Sequence, residues 1–148
     1  MEKMRAMVLS ECAKIETNPL KLTQIDRHEI KRGNEILLKI EACGVCHSQL
    51  HGIEGDWLDI GIPPALPTVP GHEVVGKIIE IGKDVTKFKV GDRAGITPLL
   101  EACQKCQYCL EGKEYLCESS IITGESFKGG YTEYITVTEN FATKVPES

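Results

Sequence analysis

The chain has 148 residues, of which 41% are hydrophobic and 26% charged, enough for one domain that buries roughly 70% of the surface its unfolded chain exposes. It has no apolar run near the ~20 residues of a membrane span and no secretory-type apolar stretch after its N-terminus, so a membrane protein is excluded and a cytoplasmic location is expected. A formal net charge of -5 with no Lys/Arg cluster gives phosphate backbones no attractive field, and nucleic acid is not an expected partner.

Taken in chain order, the apolar pattern predicts short strands. Segments 6–9, 35–41, 74–81, 93–96 and 131–137 are rich in Ile, Val, Leu and Tyr and bounded by turn residues such as Lys31-Arg32-Gly33-Asn34, Gly82-Lys83-Asp84 and Val90-Gly91-Asp92. A short helix is expected over 48–53. The stretch 62–70 holds four prolines and should be extended, because proline lacks a donor and restrains the residue before it. Residues 99–123 form a cysteine-rich excursion with little core of its own. The expected fold class is mainly β, a closed or nearly closed barrel with short helices. No Gly-x-Gly-x-x-Gly follows a strand, so no dinucleotide-binding unit is expected in this chain.

Seven cysteines are many for a reducing compartment unless a metal or a catalytic task holds them. Four of them, Cys103, Cys106, Cys109 and Cys117, are spaced so that their thiolates can converge on one ion. Zinc takes four such ligands tetrahedrally in structural sites. The metal would stand in for the missing core, contributing about 10–16 kcal/mol in the apparent sense measured for small zinc units. Disulfides and an iron–sulfur cluster are the alternatives; the first fits a reducing compartment poorly, and the spacing differs from the usual ferredoxin runs. Cys12 and Cys43 have no partner in a motif and are assigned to packing.

A second constellation is Cys43-Gly44-Val45-Cys46-His47-Ser48-Gln49-Leu50-His51, with Gly71-His72-Glu73-Val74-Val75-Gly76 further along the chain. Cys-x-x-Cys-His by itself is open to three readings: haem attachment, a redox dithiol, or one ligand of a metal site. Strand-like flanks disfavour the first two, and His72 favours the third.

Gly71-His72-Glu73-x2-Gly76-x5-Gly82-x2-Val85 resembles the zinc signature of medium-chain alcohol dehydrogenases. Gly44-Val45-Cys46-His47-Ser48 is similar to that family's first zinc-ligand segment, and the four-cysteine spacing to its structural zinc lobe. The resemblance runs from about Arg5 to Pro146. It implies a GroES-like barrel over 1–148 with its zinc lobe at about 99–123. It implies Cys46 and His72 as ligands of a catalytic zinc, with Glu73 as an alternate ligand, and Cys103, Cys106, Cys109 and Cys117 on a structural zinc. Ser48 is then the hydroxyl that takes the substrate proton, His51 the outer imidazole, and His47 a neighbour of the cofactor pyrophosphate. Trp57 falls on the substrate-facing segment.

The implied reaction is oxidation of an alcohol to an aldehyde or ketone, or its reverse, with NAD or NADP, in an enzyme that is a homo-oligomer. Polyol, threonine or sugar dehydrogenases and a non-catalytic zinc-binding module are the competing readings. In the resembled family a third zinc ligand and the nicotinamide-binding domain come after the segment seen here. By itself, then, the chain is expected to hold the structural zinc firmly, to hold the catalytic zinc poorly, and not to oxidise alcohols. One departure stands out: the family commonly has Asp where this chain has Gln49. That side chain is expected to accept from the zinc-binding histidine through its neutral amide oxygen, weakening donation to zinc.

Overall fold

The computed structural model describes residues 2–62 and 64–146. In chain order its elements are β1 (Lys3–Leu9), β2 (Leu20–Asp26), β3 (Glu35–Cys43), α1 (His47–Glu54), β4 (Val74–Ile81), β5 (Arg93–Ile96), β6 (Leu99–Glu101), α2 (Gln107–Leu110), β7 (Ile121–Ile122), β8 (Tyr134–Thr138) and β9 (Ala142–Lys144), with four three-residue 3-10 turns among the described residues. Five strands form one antiparallel sheet in the order β8-β3-β4-β5-β9. β1 and β2 make a separate ribbon, and β6 pairs with β7 at the base of the cysteine-rich excursion.

Alternation explains which faces meet. Met4, Ala6 and Val8 of β1 turn inward while Lys3 and Arg5 face solvent. On the large sheet Ile36, Leu38, Val74, Ile78, Ile135 and Val137 pack into one core together with Phe88, Ala94, Ile96 and Leu100. The β3–β4 register shifts between Leu37 and Leu38 and again between Ile40 and Ala42. Such irregularities bend a strand and re-aim the side chains beyond the bend.

A buried carboxylate ties the sheet to the excursion. Glu35 is 3% exposed and accepts from the Lys31 and Arg32 amides and from the Arg32 guanidinium. The same guanidinium reaches Glu101 in β6 at 2.7 Å. Burial pushes the Glu35 carboxyl up, but these hydrogen bonds outweigh it and hold it below the ordinary carboxylate range.

All five expected strands occur, with β4 and β5 at the expected bounds. The segment expected over 131–137 begins later, at Tyr134, because Tyr131 bonds instead to Met7 and Pro70. β2, β6, β7 and β9 were not expected. The large sheet is an open half-barrel, with β8 and β9 as its edges, rather than a closed ring. In the proline-rich stretch no helix forms among the described residues, and Thr68 pairs with Leu9; Pro63 lies outside the described residues. No described helix is long and apolar enough to cross a membrane.

Candidate metal centres

Strand pairing brings the two halves of the first site together. β3 ends at Cys43 opposite Val74, the first residue of β4, and the Gly44 amide donates to the Glu73 carbonyl at 2.9 Å, extending the contact one step. Cys46 lies just past the end of β3 and His72 just before the start of β4, so they become neighbours although remote in sequence. Gly71 makes the approach possible: it holds φ +100, a conformation that side-chain-bearing residues rarely adopt, and a Cβ there would lie 3.0 Å from the Gly130 backbone nitrogen.

Cys46 is the N-cap of α1, and the helix stops at Gly55, which takes the left-handed conformation and donates to the His51 carbonyl. Helical periodicity then sorts the side chains. Gln49 and Ile53, four apart, point inward, while His47 and His51, also four apart, lie side by side with ring centroids 4.6 Å apart and planes tilted by 35°.

One donor atom each from Cys46, His72 and Glu73 lies within 4.8 Å of the others. His72 is buried, Cys46 half-buried and Glu73 exposed. The Ser48 hydroxyl sits between two of them, with Oγ 3.1 Å from Cys46 Sγ and 3.1 Å from His72 Nε2. Sulfur, imidazole and carboxylate at this separation suit zinc, and three protein donors leave a position for another ligand.

Gln49 departs from the sequence expectation. Its Oε1 accepts the Gly71 N–H at 2.5 Å, and its Nε2 faces His72 Nδ1 at 2.7 Å. The oxygen expected to serve His72 is committed to the Gly71 backbone amide, so the amide nitrogen is what the imidazole meets.

His51 lies apart from Ser48 in hydrogen bonding: its Nδ1 pairs with Asp56 Oδ2 at 2.7 Å, and its ring centroid is 6.0 Å from that of Trp57. The hydrogen bond from His51 holds the Asp56 carboxyl below its ordinary range. Asp56 was not singled out in the sequence; the pairing depends on Gly55 turning the chain back on the last turn of α1, which composition does not announce. His47 is exposed. Trp57 is half-buried and lines a pocket with Leu9, Gln49, Ile53, Ile62 and Pro70.

In the second site the ligand atoms of Cys103, Cys106, Cys109 and Cys117 all lie within 4.8 Å of one another. All seven cysteines are unpaired, which excludes the disulfide alternative for this structure. Two sulfurs about 2.3 Å from one tetrahedral ion stand about 3.8 Å apart, and Cys103 and Cys109 sulfurs are 3.9 Å apart. A multi-iron cluster, which interposes its own atoms between the thiolates, would spread them further. Backbone N–H groups point at the sulfurs, from Cys106 to Cys103 at 3.3 Å and from Cys103 to Cys117 at 3.5 Å. The Cys103 thiol is drawn down to about 6 by amides of Lys105 and Cys106, whereas burial and the neighbouring thiols push Cys109 up to about 12.

Residues 32–147 match the alcohol dehydrogenase GroES-like domain. The chain belongs to that family. An alcohol dehydrogenase from Geobacillus stearothermophilus is 44% identical over 145 residues, covering 98% of this chain and 40% of that protein. A cinnamyl alcohol dehydrogenase structure from Sorghum bicolor superposes with TM-score 0.84 at 30% identity, over 99% of this chain and 41% of the other. The cobalt- and zinc-bound thermostable alcohol dehydrogenase from Pyrobaculum aerophilum gives TM-score 0.83 at 27% identity, over 99% and 43%. The chain thus spans about 40% of the length of the curated relatives it matches. In this GroES-like domain the mainly β expectation holds.

Proposed function

We propose that this domain forms the zinc-binding, substrate-facing part of an alcohol dehydrogenase that interconverts an alcohol with its aldehyde or ketone, using NAD or NADP. The observation that carries the reading is the meeting of Cys46, His72 and Glu73 donor atoms within 4.8 Å at one end of the β3–β4 pair. Cys46 and His72 would hold the catalytic zinc with Glu73 as alternate ligand, and Cys103, Cys106, Cys109 and Cys117 the structural one. When bound, the catalytic zinc supplies Lewis acidity toward the substrate oxygen.

The chain's own residues do the rest. The Ser48 hydroxyl, already between the sulfur and the imidazole, takes up the proton of the substrate hydroxyl as it hands its own on toward His51 and solvent. His51, braced by Asp56 and partly open to solvent, passes a proton to water. Exposed His47, on the same helical face as His51, would lie beside the cofactor pyrophosphate. The cavity that reaches Cys46, lined by Val45, Leu50, Ile53 and Tyr131, favours an apolar alcohol over a polyol. The seven unpaired thiols fit a reducing compartment such as the cytoplasm.

The test is zinc content and alcohol-dependent NAD(P)⁺ reduction in the whole protein carrying this domain. Cys46→Ser and His72→Ala should each lose one zinc per chain and turnover while the lobe keeps its zinc. Full turnover in both variants would overturn the reading, and a substrate panel in which polyols outrun simple alcohols would overturn the substrate class.

A further inference from the structure

Hydrogen bonds run through the first site in one direction, and a backbone amide sets that direction. The Gly71 N–H can only donate, and it meets Gln49 Oε1 at 2.5 Å. That contact assigns the side-chain amide: its oxygen belongs to Gly71, so the group facing His72 Nδ1 at 2.7 Å is the NH2. A primary amide nitrogen donates and does not accept, so Nδ1 must present its lone pair. A neutral imidazole with its lone pair on Nδ1 carries its proton on Nε2. Nε2 lies 3.1 Å from Ser48 Oγ, which accepts there and turns its own proton to Cys46 Sγ, also 3.1 Å away. Gln49 is 8% exposed and His72 6%, so both side chains are largely shut off from bulk water.

We propose that Gln49 is a positioning residue that holds His72 as its Nε2–H tautomer, so that the site is closed on itself and metal uptake requires Gln49 to rearrange. The second half of this inference rests on the zinc reading above; the tautomer does not. For Nε2 to offer a lone pair to a divalent cation, the proton must sit on Nδ1, where it meets the Gln49 N–H, donor against donor. Turning the amide over relieves that contact but sets its NH2 against the Gly71 N–H. Either way a buried donor loses its acceptor. Glutamate at this position accepts from both neighbours and removes the conflict.

The experiment is a long-range ¹H–¹⁵N spectrum of the metal-free, ¹⁵N-histidine-labelled protein, then zinc titration against a chelator. Wild type and Ser48→Ala should both show His72 as Nε2–H, and Gln49→Glu should show Nδ1–H. Gln49→Glu should then bind zinc at the Cys46 site about 10–100-fold more tightly than wild type, with the four-cysteine lobe unchanged. An Nδ1–H signal in wild type overturns the proposal outright, and this spectrum decides even if the glutamate variant fails to fold. Expected tautomers with equal zinc affinity overturn the uptake half. Expected tautomers with no zinc beyond the lobe's equivalent sink the zinc reading of Cys46, His72 and Glu73 and leave the tautomer standing.

Discussion

The two candidate centres are assembled in opposite ways. The lobe draws four sulfurs from one short segment, so local turns, the N-cap of α2 and the β6–β7 pair suffice to gather them. The Cys46, His72 and Glu73 site draws its donors from two segments that meet only because Cys43 pairs with Val74. With little apolar core of its own, the lobe would rely on a bound ion to keep those sulfurs together, whereas the other site relies on the β3–β4 pairing. Each of these dependences can be separated by experiment.

The largest effect is expected in the lobe. Cys117→Ser, at a buried thiol, should lose that zinc and with it most of a contribution of about 10–16 kcal/mol. Hydrogen exchange should then show 103–117 unprotected while β3 and β4 stay protected. Loss of protection in β4 as well would erase the distinction between the regions.

Next in size is Ile78→Ala, at a side chain with no exposure in the middle of β4. It should cost about 2–5 kcal/mol by denaturant unfolding and weaken zinc at the Cys46 site while leaving the lobe loaded. Equal weakening of both sites would show that they are not independent.

The clamp between the regions titrates. Glu35 is held below the 4.5 of an unfolded glutamate, so its contribution is fully present above pH 4.5 and is lost as pH falls through its lower folded value. Thermal melts should show the wild type losing stability below pH 4.5. Glu35→Gln should have a lower plateau near pH 7 and a flatter acid limb. An unchanged acid limb would mean that Glu35 does not fasten β3 to β6.

The smallest effect is expected at Leu110, which is 76% exposed on the lobe. Leu110→Ser should change stability by no more than about 0.5 kcal/mol and leave zinc content unaltered. A larger loss would show that apolar contact, as well as sulfur, holds the lobe.

Much of this was legible in the residues. The strands of the main core have enough Ile, Val and Leu to declare themselves, and β4 and β5 came out at their expected bounds. β6, β7 and β9 are two or three residues long and exist because a partner strand is there; β2 is mostly exposed, so burial never wrote a pattern into it. The cysteine spacing announced the lobe, and the His72 motif announced the other donors. Asp56 went unnoticed because its contact with His51 is made across a left-handed turn.

What residue types and spacing determined alone was the donor chemistry: four soft sulfurs in one segment, and a sulfur, an imidazole and a carboxylate in two others. Only the tertiary structure decided which end of Gln49 meets His72, because an amide has one accepting and one donating end and the buried Gly71 N–H claims the first. Composition names the groups that can share a hydrogen bond, while their polarity is settled by whichever fixed backbone donor the fold sets beside them.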